Sequence, residues 1–145
     1  MANNPPLLKE KDKKEKAHKI GWWQKRCDEL LTPIVRKEHP RCEACGQETQ
    51  VAHHFIEKSH SAKLRYDFGN LIALCHSCHA KIHNRFGNSI SGSLDVANII
   101  IGKRGEIWYE TLKRVGREQI RVNIGYYKEK LVELKNRLST GQTFT

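Results

Sequence analysis

No apolar stretch of this sequence approaches the roughly twenty residues that a membrane-spanning helix needs. The opening Met1-Ala2-Asn3-Asn4-Pro5-Pro6 lacks the apolar run of a secretory signal. These two absences argue against membrane insertion and secretion and point to a cytosolic protein, where paired cysteines are more often metal ligands than disulfides. Acidic residues are scarce too: 16 Asp and Glu against 26 Lys and Arg leave a net charge of +10. That balance favours a polyanionic partner, nucleic acid first and an anionic membrane surface second. Hydrophobic residues make up 38% of 145 positions, enough for one modest domain with extensions and a core small enough to profit from a metal staple. No internal repeat is visible.

What is present falls into four stretches. Residues 1–19, with the run Lys9-Glu10-Lys11-Asp12-Lys13-Lys14-Glu15-Lys16, read as a basic, solvated tail. Residues 20–39 read as an amphipathic helix, with Trp23, Cys27, Leu30, Leu31 and Ile34 near helical spacing, Pro33 bending or dividing it, and His39-Pro40 ending it. Residues 40–87 hold every candidate ligand: strands at Val51–Ile56 and Asn70–Leu74 and a helix from Ser77 to Arg85 form a ββα unit, followed by a loop through Ser93. Residues 88–145 form a helical extension. Its expected segments are Leu94–Ile101 closed by Gly102, Glu106–Val115 closed by Gly116, and Tyr126–Leu138 with Leu131, Leu134 and Leu138 on one side; 117–124 is ambiguous and 139–145 reads as a disordered end. The fold class expected is therefore α+β, a small ββα core with a metal staple and flanking helices.

The cysteines are the most specific signal. Cys42/Cys45 and Cys75/Cys78 are two Cys-x-x-Cys pairs, and four thiolates complete the tetrahedral coordination of Zn²⁺, giving a closed structural site with no position for water or substrate. Gly46 supplies the positive φ that a tight knuckle requires. The intervening segment, residues 46–74, is longer than the fifteen to twenty residues of simple zinc ribbons, which leaves room for something functional. A redox Cys-x-x-Cys would need a βαβ context that is absent, and a two-Cys two-His finger would need a shorter spacer. Cys27 reads as a small buried side chain.

Histidines fill that excess. His79 and His83 lie four apart on the expected helix, on one face, where two imidazoles can share a metal. His53 on the preceding strand is the obvious third ligand, and strand alternation turns His54 the other way or to the rim. Adjacent histidines can thus divide the labour, one binding metal and the other free as a base. For a single histidine a surface or capping role is the default; four at these positions argue against it.

Taken together, Cys-x-x-Cys, His53-His54, Asn70, Leu74-Cys75-His76-Ser77-Cys78-His79 and His83 resemble the HNH, or ββα-metal, nucleases in their zinc-stapled form. The resemblance implies that His54 is the general base, that His53 and His79 are ligands of the catalytic divalent metal with His83 a third, and that Asn70 holds the loop and orients the base imidazole. Over a longer span, Trp22, Trp23 and Lys25, then Leu64-Arg65-Tyr66-Asp67-Phe68-Gly69-Asn70, then the Lys/Glu-rich C-terminal helix, are similar to the phage NinG/Rap recombination nucleases, which act on branched DNA. This implies phosphodiester hydrolysis leaving a 5′-phosphate, in the host cytoplasm for a phage-encoded protein.

The expected cofactors are structural Zn²⁺ and catalytic Mg²⁺ or Mn²⁺, although imidazole-rich sites also suit Zn²⁺, Ni²⁺ or Co²⁺. Arg65, Lys63, Lys58, Lys81 and Arg85 are the candidates for contacting DNA phosphates, Arg65 foremost, with Lys103, Arg104, Lys113, Arg114, Arg117 and Arg121 adding nonspecific affinity. The bland reading of any single one is a solvated charge. His60 and His76 are assigned to the surface, and Trp22, Trp23 and Trp108 to the core. Two alternatives stand beside a nuclease of branched DNA: a simple duplex-nicking enzyme, and a zinc-stapled binding module that does not cut. Coordinated cuts on a junction would call for a homodimer.

Overall fold

A computed structural model of the protein describes residues 18–83 and 90–140, apart from the side chains of residues 90–94. The fold is α+β. Helices α1 (Ile20–Asp28) and α2 (Leu31–Glu38) precede strand β1 (Val51–His54). A 3₁₀ turn (Phe68–Asn70), strand β2 (Leu71–Leu74) and helix α3 (His76–His83) follow, then α4 (Ile90–Arg104), α5 (Glu106–Gly116) and α6 (Ile124–Thr140).

Pro33 divides the N-terminal helix, but the break falls upstream of it, at Glu29-Leu30. A proline ring clashes with the carbonyl four residues earlier, here that of Glu29, while in the first turn of a new helix its missing N–H costs nothing. At the other end, His39 is the C-cap of α2, as the following Pro40 requires.

β1 and β2 form a two-stranded antiparallel sheet with Val51 opposite Leu74, Ala52 opposite Ala73, His53 opposite Ile72 and His54 opposite Leu71. All four residues of β2 are buried, because the sheet is covered on both faces. Leu71 and Ala73 pack with Trp23, Cys27, Leu31, Ile34, Val35, Tyr127 and Leu134 of α1, α2 and α6. Ile72 and Leu74 face the second cluster, of Cys42, Cys75, Cys78, Ile82, Val96 and Ile100. Each fully buried aliphatic side chain, such as Ile34 or Ile72, contributes about 1.5–3 kcal/mol. The leucine stripe of α6 is spent within the chain, with Leu134 buried and Leu131 and Leu138 packed against the first cluster.

β1 stops two residues short of the expected Ile56. The Phe55 N–H still donates to the Asn70 carbonyl, but the Ile56 N–H donates to Asn70 Oδ1, so a side chain ends the ladder. In the C-terminal half, Ser91–Ser93 are helical rather than looped, and α4 continues through Gly102 to Arg104. An interior glycine costs a helix only about 1 kcal/mol, and Val96 and Ile100 hold this one against the core. Gly105, with φ +98°, makes the break instead. α6 also extends through Thr140. The expected tail falls, but for His18 and Lys19, outside the described residues, as do residues 84–89 and 141–145.

Candidate metal centres and catalytic cleft

The knuckle Cys42–Cys45 turns through Gly46 at φ +79°, closed by Gly46 N–H to the Cys42 carbonyl and Cys42 N–H to the Gln47 carbonyl. Cys75 and Cys78 open α3, with the Cys78 N–H donating to Cys75 Sγ at 3.5 Å. The four sulfurs lie within 4.8 Å of one another, and Cys45 and Cys75 Sγ are 3.6 Å apart. Zinc–sulfur bonds of about 2.3 Å in a tetrahedron space the sulfurs by about 3.8 Å, so the set fits Zn²⁺. Cys42, Cys75 and Cys78 are buried. Burial works to raise the Cys42 thiol, but hydrogen bonds from the backbone of Cys75, Cys45 and Ala44 outweigh it and hold its pKa at about 7. Burial and the neighbouring sulfurs push Cys78 well up. A shared cation is what lets four such sulfurs ionise together.

Strand alternation parts the two adjacent histidines. His53, opposite Ile72, lies on the α3 face; His54, opposite Leu71, lies on the other. His53 meets His79 and His83, with ring centroids 5.4 and 4.7 Å away. The Nε2 atoms of His79 and His83 face each other at 2.9 Å, and a ligand nitrogen from each of the three rings lies within 4.8 Å of the others. Nitrogens about 2.1 Å from a shared cation sit about 3 Å apart, so these three rings also fit a metal. Burial, followed by the charges of His83 and His76, lowers the His79 pKa, which favours the neutral, ligating form.

His54 Nε2 lies 2.8 Å from the Arg65 carbonyl. A carbonyl only accepts, so Nε2 carries the hydrogen and Nδ1 the lone pair. Burial, with the charges of Lys58 and Arg65, keeps the His54 pKa below the usual imidazole value, against the raising effect of the Arg65 carbonyl and Asp28. Asn70 is fully buried. It donates to the carbonyls of Ile56 (2.9 Å) and Leu64 (3.3 Å) and accepts from Ile56 N–H (2.8 Å), clamping both ends of the loop, while the direct partner of His54 is Arg65. His53, His54, His79 and His83 line one open cleft of about 460 Å³ together with Ala52, Glu57, Lys58 and Ser59.

The basic candidates divide. Lys58 is exposed and lines the cleft, Lys81 is exposed on α3, and Lys63 is exposed with Glu118 at 3.8 Å. Arg85 lies outside the described residues. Arg65 does not match the expectation of a phosphate contact. Its side chain is only 14% exposed, and its guanidinium is forked onto Asp28, with Nε 2.9 Å from Oδ1 and Nη2 on Oδ2. Arg104 is similarly engaged, forked onto Glu43 inside the knuckle and donating to the carbonyls of Gly69 and Leu71. Trp108 Nε1 donates to the same Gly69 carbonyl at 2.8 Å. Asp28 and Glu43 escaped the sequence reading because their partners are distant in the chain, and no local spacing marks them. His60 and His76 are exposed, and Cys27 is buried, as expected.

Comparison with curated proteins and with solved structures finds no match. Residues 42–85, which carry both cysteine pairs and all the cleft histidines, match the family model for HNH endonuclease.

Proposed function

We propose that the protein is a metal-dependent DNA endonuclease whose catalytic unit lies within residues 40–87. The observation that carries this reading is the division of labour between His53 and His54: one ring joins His79 and His83, while its neighbour opens on the same cleft with a free Nδ1. A pure binding module has no use for an imidazole fixed in one tautomer beside a cluster of three potential metal ligands.

His54 Nδ1 is the general base. Water in the cleft gives up its proton to Nδ1 as its oxygen attacks the scissile phosphate, and the Arg65 carbonyl stabilises the imidazolium through Nε2–H. His53, His79 and His83 would hold a divalent cation, which when bound would supply Lewis-acid stabilisation of the charge that develops during cleavage. Three imidazoles without a carboxylate suit Zn²⁺, Ni²⁺ or Co²⁺ better than Mg²⁺, with Mn²⁺ between. Asn70 acts through the loop, as a positioning residue. Lys58, at the cleft, meets a substrate phosphate, and Lys81 and Lys63 extend the contact to flanking phosphates.

The test is nicking of supercoiled plasmid by wild type and His54→Ala across a panel of divalent metals. Wild type cuts; His54→Ala loses at least about 10²-fold with an unchanged circular-dichroism spectrum. Intact plasmid with both proteins in every metal would sink the proposal in favour of a binding module. Parallel assays on linear duplex, single strand, D-loop and four-way junction decide between duplex nicking and the processing of branched recombination intermediates that the similarity to NinG/Rap nucleases favours. Two coordinated cuts on a junction would also imply a dimer.

A further inference from the structure

The partner that fixes the His54 tautomer is a main-chain carbonyl in a loop, and such a group is only as well placed as its peptide plane. The Arg65 carbonyl belongs to the peptide joining Arg65 to Tyr66. Both of those side chains end on the same carboxylate: the Arg65 guanidinium forks onto Asp28, and the Tyr66 hydroxyl donates to Asp28 Oδ1 at 2.8 Å. A bidentate fork fixes direction as well as distance, and two consecutive side chains tied to one anchor leave the intervening peptide little freedom to rotate. The anchor itself is firm. Asp28 is the last residue of α1, one position beyond Cys27 in the core, and its side chain is 22% exposed. Asn70 completes the clamp by holding the Leu64 carbonyl just upstream.

We propose that Asp28, which lies outside the stretch matching the nuclease family, is a positioning residue for His54, acting through the Arg65–Tyr66 peptide to hold the base in its Nε2–H tautomer with Nδ1 aimed into the cleft. The inference rests on the reading of His54 as the base and adds a dependence on the N-terminal helix.

The test uses the full-length, zinc-loaded protein and compares Asp28→Asn with Glu38→Gln. The latter breaks a comparably buried fork, Arg137 to Glu38, in the same helical core, which meets the loop at the Phe68 ring rather than at the Arg65–Tyr66 peptide. Two quantities are read: kcat and KM for plasmid nicking, and the ring-nitrogen resonances of His54 by long-range ¹H–¹⁵N correlation in the resting protein. Asp28→Asn is expected to lower kcat roughly ten- to a hundredfold at nearly constant KM and to convert the His54 pattern from a single Nε2–H tautomer to a mixture. Glu38→Gln should lower the melting temperature without either effect. Arg65→Lys, which keeps the charge but loses the fork, should follow Asp28→Asn and serves in its place if the latter does not fold. Identical kcat and His54 spectra in both variants and wild type would overturn the proposal. If wild type cuts no substrate, the base assignment falls on its own, and the resting-state resonances still decide whether Asp28 holds the ring.

Discussion

The four-cysteine and three-histidine clusters share helix α3, where Cys78 and His79 are neighbours, yet they are built for opposite ends. The cysteine set brings four soft donors, three of them buried, and so fills a tetrahedral ion completely. The histidine set brings three borderline donors, of which only His53 is buried, and opens on a cleft. In the proposed reading, saturation makes the first a fastener, while three donors facing a cleft leave the second free to serve as a reaction site. Their adjacency would also couple them, because an ion held by the cysteines at the start of α3 would fix which way His79 and His83 point.

Substitutions can break that contrast, and the largest effect is expected at the fastener. Cys78→Ser should release zinc and unfold the chain, since structural zinc contributes on the order of 10 kcal/mol to small zinc-dependent folds; metal analysis and thermal unfolding measure both. At the open cluster, His79→Ala should leave fold and zinc content intact while weakening a second equivalent of metal roughly ten- to a hundredfold, seen in calorimetric titration and in nicking that recovers at high metal. Should His79→Ala melt the protein as Cys78→Ser does, the two clusters are not functionally distinct. The smallest effect belongs to Lys58→Ala, which touches neither cluster. It should weaken DNA binding severalfold, equally for all sequences, and reduce the salt-dependence slope by about one, measured by fluorescence anisotropy across a salt series.

Much of this contrast was legible in the sequence because it depends on short-range periodicity. Two Cys-x-x-Cys pairs imply a shared ion whatever lies between them, a strand sends His53 and His54 to opposite faces, and a helix stacks His79 on His83. What was not legible depends on distance. Arg65 stands in a basic stretch and looks available to phosphate until α1 brings Asp28 to it from 37 residues away, and the same holds for Arg104 and Glu43 across 61. Helix boundaries followed a similar rule. Pro33 and Pro40 act locally and were placed nearly correctly, whereas Gly102 and Gly105 are equal as local signals, and tertiary packing chose the second as the break.

The carbonyl of Gly69, caught by Arg104 and Trp108, has a consequence for how the proposed catalytic motif can travel. Gly69 immediately precedes the clamp residue Asn70, so the C-terminal helices reach into the framework of the cleft itself. An excised fragment ending shortly after His83 would keep every ligand yet lose the braces on that turn. Grafting the motif into another scaffold would therefore require transplanting the α4–α5 elbow with it.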